Sequence, residues 1–101
     1  MLDYAKIFEI GLSYHDFLAK YGTPEQQRRW AGIHADVRLS DAQRQLLASF
    51  KRKMPVIVLA GAWCGDCVNQ CPIFDHFVSA SSVLDIRFFD RDANPELAAE
   101  M

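Results

Sequence analysis

The sequence predicts an α/β chain, a βαβ unit in the second half preceded by a helical N-terminal segment. Three observations carry that reading. A short, continuously apolar and β-branched run, Val56-Ile57-Val58-Leu59-Ala60, follows Pro55. A second strand candidate, Val83 to Phe89, lies beyond a segment whose apolar residues recur at helical spacing. The residues before Pro55 hold separate helix starts, each with its own capping residue.

Taken in order, residues 3–10 and 14–21 read as helices divided by Gly11-Leu12-Ser13, with Ser13 and Asp16 spaced as a capping box. Gly22 stops the second, and Thr23-Pro24-Glu25-Gln26 opens a third with a cap, an N1 proline and a capping-box glutamine. That helix carries Trp30 and Ile33 on one side and ends near Ala35 or Asp36. Ser40-Asp41-Ala42-Gln43 repeats the signature, opening a helix whose Leu46, Leu47 and Phe50 are expected to face a core. Tyr4, Tyr14, Tyr21 and Trp30 read as core or packing surface rather than a cofactor box, and His15 and His34 as structural or exposed. Strand 56–61 is expected to be buried on both faces, as in a parallel sheet. Helix 64–80 follows, with Ile73, Phe74, Phe77 and Val78 on its apolar side. A break around Ser79–Ser82 leads into strand 83–90 and a polar loop, and Asn94-Pro95-Glu96 starts a helix over 95–101.

Composition narrows the function classes. The chain has 101 residues, 50% hydrophobic and 24% charged, enough for one packed domain and not the make-up of a disordered segment. No apolar run is long enough for a membrane span, and the first residues lack a basic-then-apolar signal pattern. A cytoplasmic protein is therefore expected. Residues 1–55 carry nine Lys/Arg against six Asp/Glu, and residues 56–101 carry two against seven. The basic excess, Lys51-Arg52-Lys53 and Arg28-Arg29 included, has no interleaved stacking aromatics, so a solvated surface is expected and no nucleic-acid partner.

The chemistry concentrates in Trp63-Cys64-Gly65-Asp66-Cys67-Val68-Asn69-Gln70-Cys71-Pro72. Two cysteines two residues apart, at a junction from strand to helix, suit dithiol chemistry. Cys64 falls where the helix begins, so free N–H groups and the helix dipole favour its thiolate. Cys67 lies about one turn further, within reach of a disulfide. Cys71 lies about 10 Å along the helix from Cys64, beyond the roughly 7 Å limit for a bridge, and reads as a buried, inert thiol.

Strand, Trp63-Cys64-Gly65-Asp66-Cys67, Pro72, a strand ending Phe88-Phe89-Asp90 and the Asn94-Pro95 helix start together resemble the thioredoxin family, over roughly residues 55–101. The resemblance implies a thioredoxin-like βαβ half behind a helical extension of residues 1–54. It implies thiol–disulfide exchange without a cofactor, Cys64 as nucleophile and Cys67 as resolving cysteine. Trp63 would shield the dithiol and contact partners, Gly65 and Asp66 would tune it, and Pro72 would kink the helix and crowd the Val68 carbonyl. Disulfide-containing proteins and a reductase are the implied partners.

This sequence departs from the family pattern in three places. Asp66 stands where proline is commonest, and its carboxylate opposes the Cys64 thiolate about as strongly as the helix terminus, about 0.3–1 kcal/mol, favours it. Val58 stands where many thioredoxins bury a proton-transferring aspartate, which leaves slower resolution, or Asp66 in part of that role. No proline after Pro95 supplies the family's cis-proline loop. A two-strand parallel sheet is also small and leaves an unpaired edge on the second strand. The expectation is a truncated piece of a longer protein with weak or no reductase activity, or a sheet completed by another chain, as in a homo-oligomer. Two alternatives remain open: a metal or iron–sulfur site on Cys64, Cys67 and Cys71 with His76 as a fourth ligand, and an interaction module without turnover.

Overall fold

The computed structural model describes residues 3–100. Along the chain run α1 (Tyr4–Glu9), α2 (Tyr14–Tyr21), α3 (Pro24–Asp36), α4 (Asp41–Ala48), β1 (Met54–Ala60), α5 (Gly65–Ala80), β2 (Leu84–Asp90) and α6 (Pro95–Glu100). The helix starts follow local chemistry closely. Thr23 Oγ1 accepts from Gln26 N–H while Gln26 Oε1 accepts from Thr23 N–H, at 3.1 and 2.9 Å, and Ser40 and Gln43 do the same at 3.1 and 2.8 Å. At Ser13 only half of the expected box forms: its hydroxyl accepts from Asp16 N–H, with no return bond. The side chain of Gln27 ties α3 back to the end of α2 by donating to the Leu18 and Gly22 carbonyls at 3.1 and 2.9 Å.

β1 and β2 pair in parallel with Val56 opposite Ile86 and Val58 opposite Phe88. Pro55 lies inside β1 rather than before it. Met54 N–H bonds Val83 O on the β2 side, so by alternation the Pro55 nitrogen faces the other edge, where its missing proton breaks no bond among the described residues. The outer edge of β2 is not bare, as the two-strand expectation had it. Leu12 N–H donates to Phe88 O at 3.1 Å and Phe88 N–H to Leu12 O at 2.7 Å, an antiparallel bridge from the segment between α1 and α2.

One face of the sheet builds the core. Ala60, Ile86 and Phe88 meet Tyr14, Phe17 and Leu18 of α2, Trp30 of α3 and Cys71 of α5, with Val56 and Val58 packed at the margin. Phe17 is fully buried, with ring centroids 6.0 Å from Trp30 and 5.9 Å from Phe88, and Tyr14 lies 6.0 Å from Phe88. The residues before and after Pro55 thus share one core. On the opposite face α1 approaches Pro55 and Ile57, and Arg87 lies over the Phe8 ring at 4.7 Å. Gly11 has to be glycine here: a Cβ would come within 2.5 Å of Arg87 Cβ and 2.7 Å of Phe89.

Two burial expectations are corrected. The strand read as buried on both faces is only half-buried from Val56 to Leu59, because α1 covers little of its second face and no strand flanks its outer edge among the described residues. In α4, Leu46 is 62% exposed and Leu47 half-buried, and Phe50, beyond the end of the helix, is half-buried too. α4 rests against α5 at the rim, so its apolar side never reaches the aromatic core. Tyr4 is likewise 45% exposed, whereas Tyr14 and Trp30 are core residues.

Candidate active site

β1 ends at Ala60, and the chain turns through Gly61, Ala62 and Trp63 before α5 begins. Cys64 N–H closes this turn on Gly61 O at 3.0 Å. Cys64 is the N-cap residue of α5, in extended conformation, with no side-chain cap bond. Its sulfur therefore sits at a helix start whose first N–H groups lack intrahelical acceptors. The thiol is held below the ordinary thiol range. The Cys67 N–H, facing the sulfur without making a full capping bond, does most, followed by the Cys67 thiol, with the Asp66 N–H and the Arg91 guanidinium assisting.

Cys64 and Cys67 come within 3.4 Å of each other, both as free thiols. Cys67 is half-buried against the core, and burial pushes its thiol up, against the opposing pull of the nearby Gly61 N–H. Cys71 is 2% exposed and pushed up to about 12, chiefly by burial. Two half-buried sulfurs thus lie near the helix start and a third is sealed in the core; the thiolate is favoured at Cys64 and disfavoured at Cys67 and Cys71.

Trp63 is 55% exposed, lies against the backbone at Gly61, and carries the Arg91 guanidinium 5.1 Å from its ring. A Cβ at Gly61 would stand 2.7 Å from the Trp63 indole, so the absence of a side chain at Gly61 lets that ring lie flat. Gly65 and Asp66 are both exposed in the first turn, and a Cβ at Gly65 would meet nothing within 4 Å. Pro72 is buried beside Cys71 inside α5, away from the surface that Trp63 and Cys64 present; lacking an N–H, it leaves the Val68 carbonyl without its helical partner.

Sequence reasoning missed Arg91 and Gly61. Arg91 follows β2, and its N–H bonds Ala60 O at 2.9 Å, which brings the loop after one strand beside the loop after the other. Parallel pairing puts the two strand ends together, so the register of β1 and β2 is the signal that would have found it. The alternative metal set does not converge. His76 Nε2–H donates to the His34 carbonyl at 2.9 Å, and His34 Nε2–H to Asp75 at 2.8 Å. Among the described residues no group of three or more His, Cys, Asp or Glu side chains is placed to hold a metal ion. Asp90 is engaged in the turn after β2, its carboxylate accepting from Ala93 N–H.

Fold and site define an α/β chain with a vicinal thiol pair at the start of the crossover helix. A family model described as thioredoxin matches residues 11–101, and the chain belongs to the thioredoxin family. Among solved structures it is similar to a protein of unknown function from Pseudomonas aeruginosa, with a TM-score of 0.84 at 21% identity, covering 97% of this chain and 63% of that one. It is also similar to an HIV epitope scaffold, with a TM-score of 0.82 at 19% identity, covering 94% of this chain and 59% of that one. The chain thus spans about three fifths of each structure's length. No curated protein matches it. No helix among the described residues is long and apolar enough to cross a membrane.

Proposed function

We propose that this chain carries the dithiol of a thiol–disulfide oxidoreductase of thioredoxin type, acting on protein disulfides and reset by a separate reductase. The observation that carries the reading is the asymmetry of two half-buried thiols 3.4 Å apart, one at the helix start and favoured as thiolate, the other packed against the core and held protonated. The Cys64 thiolate attacks one sulfur of a substrate disulfide; that S–S bond breaks, and the departing thiolate takes a proton from solvent. Cys67 then loses its proton and attacks Cys64, releasing the second substrate sulfur as a thiol. Two electrons have passed to the substrate, and the chain holds a Cys64–Cys67 disulfide until an external dithiol reduces it.

Removing the resolving thiol tests this. A Cys67→Ser variant incubated with a disulfide-bonded model protein is expected to accumulate a mixed disulfide through Cys64, released by dithiothreitol and absent from Cys64→Ser. No adduct would remove the exchange reading and leave a thioredoxin-fold interaction module. Stoichiometric metal in the purified protein would instead revive the metal-binding alternative.

A further inference from the structure

The turn that carries the dithiol is held from outside the βαβ unit. Trp30, in the middle of α3, is completely buried. Its indole N–H donates to the Ala62 carbonyl at 3.0 Å in a buried bond joining positions 32 residues apart. Ala62 immediately precedes Trp63 and Cys64, inside a turn that touches both thiols. Cys64 N–H closes on Gly61 O, and Gly61 N–H faces the Cys67 sulfur. The Ala62 carbonyl lies inside the turn that the Cys64–Gly61 bond closes, so anchoring it fixes the Ala62–Trp63 peptide and with it the direction in which the chain enters Trp63 and Cys64. Buried carbonyls are seldom left without a donor, and Trp30 fills that need from the helical N-terminal segment.

We infer that Trp30 is a positioning residue for the dithiol, its indole N–H fixing the Gly61–Cys64 turn through the Ala62 carbonyl. The inference rests on the proposed exchange chemistry for its consequence but not for its geometry. It makes the N-terminal helices part of the site's framework: what α3 contributes to the reaction is one hydrogen-bond donor.

The sharpest test replaces Trp30 by 3-benzothienylalanine, which keeps the bicyclic shape and has sulfur in place of the N–H; Trp30→Phe serves as a second, genetically encoded variant. Phe17→Leu is the control, a core change in contact with Trp30 that removes no donor. Two readouts are taken on the full chain. Amide hydrogen exchange at Cys64 reports the turn without reference to redox chemistry, and the pH profile of thiol alkylation reports Cys64 and Cys67. Loss of the donor is expected to speed Cys64 amide exchange roughly tenfold, the scale of one hydrogen bond with its acceptor left buried, and to displace the alkylation profile of Cys64. Phe17→Leu should do neither beyond its effect on global unfolding. Unchanged exchange in the benzothienyl variant overturns the inference, and so does faster exchange with an unmoved thiol profile. An ordinary Cys64 profile in the unmodified chain would count against the proposed function, while the exchange readout would still decide whether Trp30 holds the turn.

Discussion

Phe17 is the place to ask whether residues 1–54 and 55–101 behave as one cooperative unit. Its ring is fully buried between Trp30 of α3 and Phe88 of β2, at 6.0 and 5.9 Å, with Tyr21 at 5.5 Å. Phe17→Ala removes the ring from a site bounded by three other aromatic side chains, which cannot close fully over the gap. Such truncations cost about 3–5 kcal/mol, a large part of the roughly 5–15 kcal/mol that keeps a small domain folded. At about 4–8 °C per kcal/mol for a chain of this size, the melting temperature should fall by at least about 12 °C. The assay is thermal denaturation followed in parallel by circular dichroism and by alkylation of Cys71, which is 2% exposed and becomes reactive only when the α5–β2 core opens. Coincident transitions, both lowered, are expected. A helical signal lost at low temperature while Cys71 stays protected would refute the shared core and restore two separable units.

Three further outcomes follow from the site. Arg91→Gln removes one of the donors to the Cys64 thiolate and should move the pH midpoint of Cys64 alkylation upward, an effect that salt mimics because the guanidinium is exposed; an unmoved midpoint excludes that donor. Cys71 binds its proton more tightly folded, at about 12, than unfolded, near 9.0, so its contribution to stability is complete below 9 and is lost as the pH rises toward 12. Urea midpoints should therefore fall less steeply over that window in Cys71→Ala than in the unmodified chain; parallel curves would contradict the assignment. Asp66→Asn should slow closure of the Cys64–Cys67 bond if the carboxylate takes the proton from Cys67, and an unchanged rate removes Asp66 from that step.

What could be read from the sequence was what neighbouring residues decide among themselves. Thr23 with Gln26 and Ser40 with Gln43 announced their helices because a capping box closes within four residues. The order of strand and helix around Cys64 was legible because apolar runs and turn residues alternate there, and the spacing of Cys64 and Cys67 announced the dithiol. Burial was less legible. Leu46 and Leu47 have the spacing of a core-facing pair, but whether a core lies opposite depends on where α4 docks, and it docks at a rim. The same holds for Arg91 beside Trp63 and for Trp30 on Ala62. Each contact joins distant positions through the sheet register, and an indole N–H or a guanidinium in isolation says nothing about its acceptor. Val58 was read as a missing aspartate; in the fold it is an apolar residue packed against the core.

The two bonds between Leu12 and Phe88 bear on the order in which the molecule assembles. They close a loop of roughly 75 residues, whose entropy cost depends only on the logarithm of its length but must be met before any reward from the contact arrives. The β1–β2 pairing and the α5 crossover span shorter separations and gain apolar burial as they form, so the Leu12 bridge is expected late, onto a strand already in place. It is then a latch rather than a foundation. In the native molecule it should open without global unfolding, with the Leu12 amide exchanging faster than those of the interior sheet. Each opening briefly bares the outer edge of β2. The lifetime of that latch, more than the size of the sheet, sets how often the strand is available to a second chain.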